Sequence, residues 1–168
     1  RWMIRREYTL YQILQGVPGI PYCYGLFNGD QLVLEYQPGS RPRKKNTRSE
    51  AKARYPCTAV GELRKTIAAM HYRGVAHADL KRTYNLIHSP DNRLVVIDFG
   101  TALLRRGHKG GPLWRWAAQQ DWNAWVHYGW GKNPELMPPA VARLYRFTML
   151  ERIAKRLKRM FDLLRGKN

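Results

Sequence analysis

Apolar side chains near the start of the chain recur at helical spacing. Residues 2–15 read as an amphipathic helix in which Met3, Leu10, Ile13 and Leu14 can share one face. Val17-Pro18-Gly19-Ile20-Pro21 must break it, because proline lacks the amide that a helix needs. Two strand-like runs follow, Tyr22–Phe27 and Gln31–Tyr36. Asn28-Gly29-Asp30 between them tolerates the positive φ angles of a tight turn, which predicts a hairpin closing at Pro38-Gly39. Residues 41–54 carry Arg41, Arg43, Lys44, Lys45, Arg48, Lys52 and Arg54 with few apolar side chains, and read as a solvated loop or helix entry. From about Thr58 to Arg73, Val60, Leu63, Ile67 and Met70 again keep helical spacing, and Gly74 is the stop. A short apolar step at Val75-Ala76 and a polar loop lead to two more strands, Asn85–His88 and Leu94–Ile97, around Ser89-Pro90-Asp91-Asn92. Beyond Gly100 the chain is rich in tryptophan, with Trp114, Trp116, Trp122, Trp125 and Trp130 expected to build core. Residues 140–166 predict a long basic helix whose Leu150, Ile153, Ala154, Leu157, Met160, Phe161 and Leu164 form an apolar stripe.

Composition agrees with a globular chain, since 44% of the 168 residues are hydrophobic. The charge balance changes the picture. Thirty Lys and Arg against 12 Asp and Glu give a net +18, a field that attracts nucleic acid, anionic membrane or phosphorylated substrates without choosing among them. The C-terminal stripe either packs on the rest of the fold or dips into an anionic bilayer, with Arg152, Lys155, Arg156, Lys158 and Arg159 near the head groups. Cys23 and Cys57 make neither a disulfide framework nor a metal spacing, so a reduced cytosolic compartment is the default. No apolar stretch approaches the ~20 residues of a membrane span. No signal peptide opens the chain, and Arg1 as its first residue leads us to expect a natural product that extends upstream.

The candidate chemistry lies between the second helix and the strand ending at Ile97. His77-Ala78-Asp79-Leu80-Lys81 is followed by Asn85, and Asp98-Phe99-Gly100 closes the Val-Val-Ile strand. This series resembles the protein-kinase pattern H-R-D-L-x-x-x-N followed by D-F-G. The order of elements resembles the kinase fold from its regulatory helix onward. The resemblance implies an α+β, protein-kinase-like chain. Residues 1–40 would be a partial small lobe of helix, hairpin and hinge, and residues 41–168 a mainly helical large lobe with a basic C-terminal helix.

Phosphoryl transfer needs an in-line hydroxyl and neutralised phosphate charge more than covalent help. By the resemblance, Asp79 orients and deprotonates the acceptor, while Lys81 sits where serine/threonine kinases keep a lysine on the transferred phosphate. Asn85 and Asp98 would hold Mg2+ on the phosphates of ATP through hard oxygen ligands. Glu7 corresponds to the helix glutamate that pairs with the phosphate-binding lysine. Leu34-Glu35-Tyr36-Gln37-Pro38-Gly39 looks like a hinge, so the backbone of Glu35 and Gln37 would meet the adenine. Asp121 resembles the aspartate of a later helix that braces the catalytic loop, and His77 reads as a structural loop histidine.

Three departures refine the resemblance. Asn85 lies six residues after Asp79, one more than in the motif, which places an inserted residue within Arg82-Thr83-Tyr84. Ala78 replaces the arginine that pairs with an activation-loop phosphate, so control by that phosphorylation is not expected. His-Ala-Asp and the 68 residues after Gly100 look more like atypical kinases, such as the RIO type and the bacterial lipopolysaccharide-core kinases. Neither a glycine-rich loop nor a strand lysine precedes Glu7. The expected activity is transfer of the γ-phosphate of ATP to a hydroxyl of a lipopolysaccharide-type sugar or a protein serine, by a cytoplasmic chain peripheral to the inner membrane. The bland explanations remain open for some residues: Glu7 as an exposed helix glutamate, residues 41–54 as a solvated face. Arg105, Arg106, Lys109 and Arg115 near Trp114 and Trp116 could instead form an acceptor site for a sugar phosphate. The competing functions are a catalytically inactive kinase-like binding module and a basic nucleic-acid-binding protein, for which no nucleic-acid motif is present.

Overall fold

A computed structural model describes residues 1–41, 57–108, 110–131 and 137–146. The fold is mixed α+β. Helix α1 spans Trp2–Ile13, and a hairpin of β1 (Cys23–Phe27) and β2 (Gln31–Leu34) follows. Helix α2 (Cys57–Tyr72) leads into β3 (Val75–Ala76), a single 3-10 turn (Thr83–Asn85), and the hairpin β4 (Leu86–His88) and β5 (Leu94–Val96). Strand β6 (Leu103–Leu104), helix α3 (Pro112–Trp130) and the short α4 (Pro139–Ala142) complete the described elements. The strands pair antiparallel as β1 with β2, β3 with β6 and β4 with β5.

Helix α2 is the axis of the core. Ala59, Val60, Leu63, Ile67 and Met70 recur three or four residues apart and all are buried, so one stripe of the helix faces inward. Leu10 and Tyr11 from α1 with Leu14 just after it, Leu86, Leu94 and Val96 from the β4–β5 hairpin, and Phe99, Trp125 and Tyr128 join it in one cluster. Gly74 ends α2 with φ of 83°, a left-handed angle that glycine adopts without steric cost. Asn28 and Gly29, at φ of 50° and 75°, make the expected tight turn, closed by the Asp30 amide donating to the Phe27 carbonyl at 3.2 Å.

Four sequence expectations change. Met3, assigned to the apolar face of α1, is 64% exposed, and Tyr11 fills the core position instead. The helix also ends at Ile13. Asn85 belongs to the 3-10 turn and not to the strand, so its backbone turns before the hairpin begins. The tryptophan-rich segment is the helix α3. Trp125 is buried and donates its indole N–H to the Val60 carbonyl at 2.8 Å, whereas Trp116 is 52% exposed. The predicted helix from residue 140 is helical only over α4 among the described residues, capped by Arg143, and residues 144–146 do not continue it. The apolar stripe from Leu150 to Leu164, and the basic run from Arg43 to Arg54, lie outside the described residues.

Candidate functional site

The loop between β3 and the 3-10 turn carries His77, Ala78, Asp79 and Lys81, and a single carboxylate underpins it. Asp121, in the middle of α3, is fully buried and accepts the backbone amides of His77 at 2.8 Å and Ala78 at 2.9 Å. His71 at the end of α2 donates its Nε2–H to the same carboxylate at 2.9 Å. The imidazole is framed edge-on by Trp114 and Trp122, with ring centroids at 5.7 and 5.5 Å. A buried carboxylate is tolerated when hydrogen bonds replace its hydration, and three donors converge here, reaching both oxygens. The bracing expected of Asp121 is thus present as direct hydrogen bonds.

Those bonds offset backbone strain. Ala78 sits at φ of 71° and Asp98 at φ of 64°. A left-handed conformation at a residue with a Cβ costs on the order of 1–3 kcal/mol and persists only where its surroundings enforce it. At Ala78 the enforcing group is Asp121. At Asp98 it is α1: the Tyr11 hydroxyl accepts the Asp98 amide at 3.3 Å, and Glu7 Oε1 accepts the Phe99 amide at 3.0 Å. Arg6 donates to the carbonyls of Gly100, at 2.9 Å, and Ala102. Successive residues of one helix therefore grip both the donors and the acceptors of residues 98–102.

Asn85 ties the two halves of the site together. Its Nδ2 donates to the Asp79 carbonyl at 2.9 Å, and its own carbonyl accepts the Ile97 amide at 3.0 Å, next to Asp98. The side-chain Oδ1 of Asn85 is buried without a hydrogen-bond partner. An orphaned buried oxygen costs free energy unless something satisfies it. Among the described residues no group of three His, Cys, Asp or Glu could hold a metal. Magnesium, however, usually takes one or two protein oxygens and completes its shell with substrate phosphates and water. The Asn85 oxygen and the exposed Asp98 carboxylate fit that donor set. His77 is buried, donates Nε2–H to the Ile97 carbonyl at 3.0 Å and packs against Phe99, as a loop histidine with a structural part would.

The remaining predicted residues lie around this centre. Lys81 is exposed on the loop. Glu7 is half-buried, and its carboxyl pKa is raised, first by burial and then by the neighbouring Asp98, against the lowering effect of the Phe99 amide. Burial also raises the Tyr11 hydroxyl pKa, with Glu7 as the next cause. Glu35 is exposed just after β2, where its amide donates to the Tyr22 carbonyl at 2.7 Å and its carboxylate accepts the Tyr22 amide at 3.1 Å. Its amide is therefore already engaged, and Gln37 beyond it is partly buried. The hinge-like segment is pinned to β4 by paired bonds between Ser40 and His88, at 3.1 and 2.9 Å. Gly39 is required there, since a Cβ would lie 2.3 Å from the His88 carbonyl oxygen.

Sequence reasoning missed Arg6, Tyr11, His71 and Arg82. Glu7 and Tyr11 lie four residues apart and so share a helix face, a signal that was available in the sequence. Arg82 falls in the inserted segment and places its Nε 3.1 Å from Asp79 Oδ2, with Nη1 donating to the Tyr84 hydroxyl. Nothing in the spacing foretold that contact, because it depends on the turn closed by the Arg82 amide on the Asp79 carbonyl at 3.2 Å. No protein-family model matches the chain, and no curated protein matches its sequence.

Proposed function

We propose that the chain is the catalytic half of an atypical, serine/threonine-kinase-like phosphotransferase that moves the γ-phosphate of ATP to a hydroxyl with the help of magnesium. In this reading residues 1–40 are part of a kinase-like small lobe and residues 41–168 its large lobe. The observation that carries the reading is that Asn85 bonds both Asp79 and Ile97, the residue before Asp98, and keeps a buried, unsatisfied side-chain oxygen.

Phosphoryl transfer asks a protein chiefly for position and electrostatics. Asp79, whose side chain is 27% exposed, orients the acceptor hydroxyl and takes its proton. Asn85 and Asp98 hold the magnesium ion, which when bound neutralises phosphate charge. Lys81 offers a cation to the transferred phosphate. Glu7 meets a cationic partner on the nucleotide side, which would relieve the burial that raises its pKa. The backbone of Glu35 and Gln37 meets the adenine. The acceptor is a hydroxyl of a lipopolysaccharide-type sugar or a protein serine. The +18 charge fits a cytoplasmic enzyme held at an anionic membrane surface, and no described helix is long and apolar enough to cross a membrane. Nucleic acid is disfavoured as the partner, because no recognisable nucleic-acid motif accompanies the basic charge.

The test is magnesium-dependent ATP binding followed by γ-phosphate transfer, with Asp79→Asn as the central variant. That variant should lower the rate by ~10²–10⁴ and leave nucleotide affinity unchanged. An unchanged rate removes Asp79 from the mechanism. Absence of magnesium-dependent ATP affinity in the complete gene product would replace this reading by a catalytically inactive kinase-like binding module.

A further inference from the structure

We infer that Arg82 makes the acceptor side of this loop selective for a hydroxyl on a molecule that also carries a phosphate or carboxylate. The inference rests on the reading of Asp79 as the group that receives the acceptor hydroxyl.

The guanidinium lies where an acceptor must come. Its Nε is 3.1 Å from Asp79 Oδ2, and its side chain is 61% exposed. The turn that positions it is closed by backbone bonds from Arg82 to Asp79 at 3.2 Å and from Asn85 to Arg82 at 3.0 Å. Tyr84 holds the other side of the group: its hydroxyl accepts Nη1, and its ring lies 5.6 Å from the guanidinium carbon. One planar fork is thus fastened through Nε by Asp79 and through Nη1 by Tyr84, on a side chain that is largely exposed and whose Nη2 is in neither of these contacts.

Stability does not account for this arrangement. An exposed ion pair three residues apart contributes little, because water screens it and ordering a long side chain costs entropy. Fixing the fork in advance does serve recognition, since a preorganised guanidinium loses less freedom when it takes an anion on its remaining donors. A hydroxyl delivered to Asp79 brings its neighbouring substituents within reach of Nη2. An anionic substituent gains a charge-assisted bond there, and a neutral one gains nothing comparable. Asp79 is the only carboxylate paired with Arg82 among the described residues, so the cation can be shared between Asp79 and a second anion.

The probe pair is glycerol 3-phosphate and glycerol, which present the same hydroxyls with and without the anion. They are titrated into the full chain without nucleotide, while the Nε–Hε resonances of its arginines are followed by NMR. Glycerol 3-phosphate should shift the Arg82 resonance saturably, and glycerol should not. Arg82→Ala should weaken binding about tenfold or more, in keeping with loss of a charge-assisted bond. Arg82→Lys, which keeps the charge without the planar fork, should also bind more weakly, and it serves if the alanine variant does not fold. Equal responses to both probes, wild-type affinity in the variants, or equal shifts at Arg93, far along the β4–β5 turn, would each overturn the inference. Because no nucleotide is present, binding at Arg82 without phosphoryl transfer refutes only the proposed reaction. Transfer without selective binding refutes only the part given to Arg82.

Discussion

Asp121 bears the heaviest duty of any single residue in the described fold. Three donors end on its buried carboxylate, one of them His71, which is itself framed by Trp114 and Trp122. Asp121→Ala should therefore cost about 3–5 kcal/mol, the range for breaking a buried charged network. Urea unfolding of the variant measures it, and a loss below about 1 kcal/mol would show that water replaces the carboxylate. Glu7 gives a pH-dependent expectation. Its pKa is raised in the fold, so its contribution to stability is fully present below the ordinary carboxylate range and is lost as pH rises through the raised value. Glu7→Gln keeps the acceptor for the Phe99 amide and cannot ionise. The variant should gain stability relative to the unaltered chain between pH ~4 and pH ~7. Urea midpoints at the two pH values decide this, and a relative loss at the higher pH would reverse the sign.

Among the elements, the segment after β2 shows how a local requirement and a distant contact combine. Hairpin β1–β2 follows from its own turn, but its link to the second hairpin depends on Gly39 passing the His88 carbonyl. Gly39→Ala brings a Cβ into that oxygen at a φ of 146°, which L residues rarely adopt. The expected cost is about 1–3 kcal/mol. Amide exchange at Ser40 and His88 should speed up while exchange within α2 stays slow. Uniform loss of protection across both hairpins and α2 would show that the contact supports the whole core and not one junction. Helix α1 works differently, because Arg6, Glu7 and Tyr11 all bond the backbone of residues 98–102. Tilting that helix would move the Asp98 backbone with it, which makes α1 the element through which the site could be altered from outside.

For the whole molecule the excess of cations governs long-range behaviour. A net +18 should bind anionic vesicles and spare neutral ones. Raising ionic strength from 0.1 M to 1 M shortens the Debye length from about 10 Å to about 3 Å, and should release the chain. Cosedimentation with phosphatidylglycerol and phosphatidylcholine vesicles measures both effects. Binding that survives the higher salt would point to buried apolar contact instead of charge.

Local patterns were enough for most of the elements. The helical spacing of Val60, Leu63, Ile67 and Met70, the Asn28-Gly29 turn and the Gly74 stop are short-range requirements, and each was legible in the sequence because its cause lies within a few residues. The series His77, Asp79, Asn85 and Asp98 was legible only through its resemblance to the kinase motif. The tertiary structure alone decided that Asn85 would bond Asp79 and leave an oxygen unsatisfied, that Arg6 and Tyr11 would grip the Asp98 segment, and that Arg82 would come to rest on Asp79. Each of these joins groups through folded backbone turns or across the core, between residues as far as 96 apart in the chain. The contacts of Arg6 and Tyr11 form only where packing brings the chain back on itself, and those of Asn85 and Arg82, six and three residues from Asp79, depend on the turn the loop adopts, which spacing alone does not encode.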